Sequence, residues 1–478
     1  MPTGLTKGSQ DTPAEASQAL RAIWRSSQLP EHALSQVTLT GADPVAPSSF
    51  VVGTAAQASI AAAALATLQI WQLRTGRTQH LSVDMAAAAR ECFGHFSIDG
   101  RAPDMWDKLS GLYRCGGDAN PGWVRIHANF AHHRDGALQL LGCPTGDDVE
   151  RACIEAALRE WRAADFEQAA AEARLVVAAV RSFDQWDRHP QNHALADKPL
   201  VSVEKIDDAQ PIALPAPQHL ERPLEGIRVL DLTRILAGPI AGRTLAAYGA
   251  DVMLVNSPNL PNIEAIIDTS RGKLSAHIDL ANSDGRTQLA ELAKDANVFV
   301  QGYRPGGLAA LGFGPEHLAR LRPGIVYVSL SAYGHTGPWA DRRGFDSLVQ
   351  TATGFNHAEA EAFGAEMPKA LPMQILDYAS GFLMAFGAQA ALLRQVREGG
   401  SWHVRVSLAR TGQWLRSLGR VADGTRCPSP QLESHQKTYK SGFGELRALP
   451  HAAQFSQTPV DWSRPSMPPG SHDAVWPA

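Results

Sequence analysis

The chain has 478 residues, with 44 Lys+Arg against 48 Asp+Glu for a net charge of −4, and is 44% hydrophobic and 19% charged. That apolar fraction excludes disorder over most of the length, and the near balance of charge provides no overall field for nucleic acid or an anionic membrane. The five cysteines, Cys92, Cys115, Cys143, Cys153 and Cys427, are scattered without a CxxC pair. This argues against a disulfide framework or zinc knuckle and for a reduced, cytoplasmic compartment.

The polar start, MPTGLTKGSQDTPAEA, has no apolar signal core, so no targeting segment is expected. A helix from about Ala19 leads to a strand at Val37–Gly41. An Ala-rich helix follows from Thr54 to Leu73, stopped by Thr75-Gly76, and then a strand at His80–Met85. Residues 92–200 change texture. They carry short apolar runs at Trp123–Phe130 and Ala137–Gly142, helices over Asp147–Trp161 and Asp165–Ala173, and a strand at Leu175–Val180. This reads as a small α+β domain over 92–210, preceded by an N-terminal segment, 1–91. Residues 211–223 hold four prolines and read as a linker.

Beyond the linker, Ile227–Leu232, Asp251–Val255, Val298–Gln301 and Ile325–Leu330 are strand-like runs. Helices over Ile240–Tyr248, Gly285–Lys294 and Pro315–Arg320 separate them. Continuous apolar strands alternating with helices imply an α/β fold, a Rossmann-like parallel sheet covered on both faces, over 224–420. Residues 421–478, rich in proline, read as an irregular segment wrapping the surface. The longest apolar stretches, Ala58–Trp71 and Tyr378–Leu393, fall short of the roughly 20 residues of a membrane span. A shift of 323 lays Thr54–Ala86 over Asp377–Ala409 with about a quarter of the 33 positions identical, an echo consistent with duplication or with a common helix–turn–strand motif.

Three places can hold chemistry. The turn after the first strand of the sheet, Asp231–Gly242, runs a strand through a glycine-containing loop into a helix, which suits phosphate. It is not GxGxxG, and Asn256-Ser257 stands where a ribose-binding acid is expected, so NAD is disfavoured. The loops at 270–273, 301–308 and 331–338 place Tyr303 and Tyr333 for stacking, while Arg234, Lys273 and Arg304 offer charge to a phosphorylated ligand. Asp377 precedes an Ala/Gly helix, where it is either an N-cap or a carboxylate nucleophile at a positive helix end; pattern leaves both open. His127, His132 and His133 read as surface residues, and His335 lies in a strand-end loop. Cys92 and Cys153 read as core thiols, and without a Gly-x-Ser-x-Gly elbow a serine hydrolase is unsupported.

In order, LEGIRVLDLTRILAGP, AAYGADV, RGK, YRPGGLAALGF, YGHTGP and GFDSLVQTATG followed by an Asp-led Ala/Gly helix resemble the family III CoA-transferases over about 222–410. The resemblance implies CoA transfer from an acyl-CoA to a carboxylic acid through an aspartyl anhydride and an aspartyl–CoA thioester on Asp377. CoA would be the co-substrate, with no prosthetic group or metal. Arg234, Ile235, Leu236 and Ala237 match the family's CoA loop, Lys273 falls in its RGK landmark, and Tyr303, Leu311 and Tyr333 match the nucleotide and pantetheine path. Phe345 replaces the histidine of the racemase branch, which disfavours racemisation; a non-catalytic CoA-binding protein is the other alternative. The family forms interlocked homodimers, so a homodimer or an internal pseudo-dimer is implied, with neither nucleic acid nor membrane as partner. The order departs from the family, because the small-domain-like segment comes first. The chain reads as the back half of one copy joined to the front half of another, with Thr54 in the place of Asp377 and one catalytic carboxylate per chain.

Overall fold

The computed structural model describes residues 14–118 and 120–477. Its largest element is a seven-stranded sheet in the spatial order Lys273–His277, Asp251–Asn256, Arg228–Leu232, Val298–Gln301, Val326–Ser331, Trp402–Ser407, Ser202–Lys205. The first six strands run parallel and the last antiparallel. Helices cover both faces, which is why the inner strands are apolar without alternation. The four strands expected here from the sequence are present to within one or two residues. Lys273–His277, with polar residues among its five, carries no such apolar run.

The N-terminal unit repeats one piece of this sheet. Val37–Thr40 and Leu81–Asp84 pair in parallel, joined by the Val52–Thr75 helix, as Val326–Ser331 and Trp402–Ser407 pair around the Ile375–Glu398 helix. Both helices have 24 residues, and they pack against each other. The Gln389 amide donates to the Ala63 carbonyl at 3.0 Å and accepts from the Thr67 hydroxyl at 2.5 Å. Small residues line both helices because each is enclosed nearly all round. Ile375–Glu398 is long and apolar enough to cross a membrane, yet its apolar stretch is wholly buried inside the protein.

The two units exchange strands. Ser202–Lys205 follows the first unit in sequence but pairs with Trp402–Ser407 of the second. Ala453–Phe455 follows the second unit but pairs with Leu81–Asp84 of the first. One continuous hydrophobic core consequently runs through both. Between these crossings, residues 109–177 form a core of their own, with strands Gly111–Cys115, Gly122–Ile126 and Val177–Ala179 backed by helices. Ala137–Gly142 is mostly the last turn of the Ala131–Leu140 helix rather than a separate run.

The C-terminal stretch is more than a surface wrap. Lys437–Ser441 and Gly444–Ala448 form a hairpin that adds Phe96–Ile98, and Ala453–Phe455 enters the N-terminal sheet. Between them His451 is buried, with Nδ1 on Glu91 at 2.8 Å and Nε2 on the Tyr248 hydroxyl at 2.8 Å. Glu91 also pairs with Arg243, which reaches Asp268, which in turn holds Arg271. This ionic chain ties the first unit and the C-terminal stretch to the large sheet, and short polar strands suffice there because buried charge pairs fix their register.

Candidate active site

The Ile375–Glu398 helix begins three residues earlier than the Asp377 cap position predicts, so Asp377 lies inside its first turn. Asp346 takes the capping role instead, accepting the Asp377 N–H on Oδ2 at 2.9 Å. The Asp377 carboxylate makes no hydrogen bond among the described residues and is 7% exposed. It is thereby held at a helix start without being used by it.

Close packing places the 234–237 loop beside that carboxylate. A Cβ on Gly381, one turn on, would lie 2.5 Å from the Ala237 carbonyl and 2.7 Å from Ile240 Cβ, so only glycine lets the two helices touch. The loop is fixed from behind, where Asp231 accepts from the Thr233 N–H at 3.0 Å and hydroxyl at 2.6 Å. Ile235 adopts φ +76°, a conformation that costs a β-branched residue about 1–3 kcal/mol and that the packed loop sustains. Arg234 donates to the Pro261 carbonyl, and its guanidinium lies 5.6 Å from the Phe130 ring centre. Leu236 is half-buried and caps the following helix, and Tyr303 lies within electrostatic range of Arg234.

Three of the residues singled out from the sequence lie elsewhere. Lys273 is sealed in the core, its ammonium 2.8 Å from Asp231 Oδ2 and 2.8 Å from the Pro239 carbonyl, so it braces the loop rather than offering charge to a ligand. Tyr333 is 2% exposed, packed edge-on against Trp339, and offers no free face. Leu311 is exposed on the rim.

The segment 122–133 covers the site from the same chain. His127 stacks on Phe345 at 4.1 Å between ring centres, and Arg125 acts electrostatically on Asp346. His127 and His133 are 4% and 5% exposed, which corrects the surface reading; only His132 is exposed. Burial pushes both buried rings down to about 3, so they are neutral near pH 7 and serve as packing surfaces. Asp346, Arg125 and His127 were not identified as site residues from the sequence. The available signals were GFDS ahead of the Asp helix and the i, i+2 alternation of Arg125 and His127 on one strand face.

The first unit holds a stripped copy of this arrangement. Asp43 accepts from the Gly53 and Thr54 N–H groups at 3.0 and 2.8 Å, the positions that lie 323 before Leu376 and Asp377. Thr54 replaces the second carboxylate, and its hydroxyl donates to Asp43 at 2.8 Å. The copy in the first unit therefore lacks the second carboxylate.

Burial raises Asp346 to about 6, partly offset by the Asp377 N–H and the Gln350 amide. Burial and the charge of Asp346 raise Asp377 well above the usual carboxylate range. An ionised carboxylate attacks a carbonyl and a protonated one does not, so activity should rise with pH through a range above that of an ordinary carboxylate. Asp346→Asn removes the like charge, and the acid limb of the pH–rate profile is expected to move to lower pH. An unmoved limb would separate the pair.

The family described as CoA-transferase family III matches residues 224–436. An acyl-CoA transferase of Gibberella moniliformis is 33% identical over 305 residues, 60% of this chain and 53% of that protein. A succinate–glutarate CoA-transferase of Agrobacterium fabrum is 34% identical over 205 residues, 39% and 51% of the two. A crystal structure of a CaiB/BaiF family protein from Brucella suis is 28% identical, covering 47% of this chain and 65% of that one at a TM-score of 0.37. The chain spans about half the length of the curated relatives it matches.

Proposed function

We propose that this chain, whose residues 224–436 match CoA-transferase family III, moves CoA from an acyl-CoA to a carboxylic acid with Asp377 as the nucleophile. The observation that carries this reading is the carboxylate of Asp377, unbonded at a buried helix start and one turn from the 234–237 loop. Asp377 attacks the thioester carbonyl and expels the CoA thiolate, leaving an aspartyl–acyl anhydride. The thiolate attacks the aspartyl carbonyl, releasing the donor acid and forming an aspartyl–CoA thioester. The acceptor carboxylate then attacks that thioester to give a second anhydride and free thiolate. Attack of the thiolate on the acceptor carbonyl yields the new acyl-CoA and restores Asp377.

In this reading Arg234, Ile235, Leu236 and Ala237 hold the CoA chain and Tyr303 lines its path. Phe345 supplies no proton carrier, which favours transfer over racemisation. The five free thiols fit a cytoplasmic setting. Intact-protein mass spectrometry after mixing with acyl-CoAs, with hydroxylamine or borohydride trapping, tests the chemistry. An adduct mapped to the Asp377 peptide is expected, and an adduct on any other residue would move the nucleophile.

The strand exchange that an interlocked homodimer would make between subunits occurs here within one chain. A homodimer is therefore not needed to close the site. Light scattering is expected to give the mass of one 51.3 kDa chain, with specific activity independent of protein concentration. Activity that falls on dilution together with the mass would assign the second subunit a part in the site.

A further inference from the structure

Among the described residues, several arginines withdrawn from the surface are paired with carboxylates. Arg243 and Arg271 meet Asp268 and Glu91, and Arg181 meets Glu167. Arg125, which is half-buried, has no such partner. It lies on the Gly122–Ile126 strand two residues before His127, so both side chains leave the same face toward Phe345 and Asp346. Its guanidinium lies 5.3 Å from the Trp106 ring centre. Its Nε is buried without an acceptor, and among the described residues none of its nitrogens donates a hydrogen bond and no carboxylate is within ion-pair distance. Asp346 acts on it only at longer range, because the Asp346 oxygens are taken by Gln350 and the Asp377 backbone.

A half-buried guanidinium with a buried, unpartnered Nε is completed by an anion that reaches its open terminal nitrogens. Its planar fork matches a carboxylate with two parallel hydrogen bonds. We propose that Arg125 binds a carboxylate of the acid substrate, making the site selective for dicarboxylic acids and their mono-CoA thioesters. The inference rests on Asp377 being where transfer occurs. The reacting carboxylate of the acid goes to Asp377 and the distal one to Arg125, while Trp106, His127 and Phe345 form the apolar wall between. A monocarboxylic acid offers Arg125 no acceptor, so selectivity comes from the hydrogen bonds that the distal carboxylate accepts.

The test compares glutarate with pentanoate, acids of equal length, as acceptors for wild type, Arg125→Gln and Arg125→Lys. For Arg125→Gln the KM for glutarate is expected to rise about 10- to 100-fold, with pentanoate changed less than about threefold and CoA affinity unaltered. Arg125→Lys should recover part of the loss. Equal losses on both acids, or a shifted acid limb with unchanged selectivity, would overturn the proposal and make Arg125 a positioning residue for the carboxylate pair. A loss of CoA affinity would assign its anion to a CoA phosphate and overturn it as well. Calorimetry of glutarate with the CoA-bound Asp377→Asn protein reads the subsite without turnover. Binding that disappears in the double variant with Arg125→Gln supports it even if trapping finds no adduct on Asp377. Absence of glutarate binding, with the trapped adduct present, overturns this inference and leaves the nucleophile standing.

Discussion

Replacing Asp377 by Asn is expected to lower transfer at least about 10³-fold while CoA affinity stays within about threefold. The substitution keeps the size of the side chain and the Asp377 N–H that Asp346 accepts, so the start of the 375–398 helix is preserved. Only the nucleophilic oxygen is lost. The same change should stabilise the protein near neutral pH. A carboxyl group whose folded pKa is raised contributes stability below its unfolded value and loses it as pH rises through the folded one. Wild type should therefore weaken relative to the variant as pH rises from about 4 upward, and urea unfolding at pH 4.5 and 7.5 reads the difference. Retention of transfer within tenfold of wild type would remove Asp377 from the mechanism. Loss of transfer together with CoA binding would make it a binding residue.

Lys273→Met is expected to cost about 3–5 kcal/mol of stability, because it leaves Asp231 buried without its cation. Both side chains are inaccessible to solvent, and the lysine also satisfies the Pro239 carbonyl at the start of the 237–247 helix. The urea midpoint should fall sharply. The fraction that remains folded should bind CoA with affinity close to wild type, since the ammonium faces away from any ligand. Asp231→Asn added to Lys273→Met should restore part of the stability by removing the stranded charge. An unchanged midpoint combined with weakened CoA binding would return Lys273 to the ligand site.

The two expectations for Asp377, cap and nucleophile, shared one helix start, and helix ends are the least legible feature of a sequence. The Ala/Gly pattern announced the helix, whereas the cap came from Asp346, 31 residues earlier, through a contact no local pattern carries. His127 and His133 read as surface residues for the same reason. Polar residues near a strand end are ordinarily solvated, and here the 343–345 segment closes over them. Lys273 opens an edge strand and Tyr333 stands in a strand-end loop, but a motif position does not reveal which way its side chain turns.

The sequence by itself determined four parallel strands of the large sheet and the helices between them, the small-residue character of two long helices, the ordered motifs of the family and the echo at a spacing of 323. These are readable because period, turn chemistry and residue size act over a few neighbours. Only the tertiary structure decided that strands cross between the two units, that Asp346 rather than Asp377 caps the helix, that Lys273 is a brace and that Arg125 stands unpaired above the site. Each of those depends on which distant surfaces meet and on how much water they exclude. Burial sets the strength of every charge in the site, and burial is a property of the packed whole.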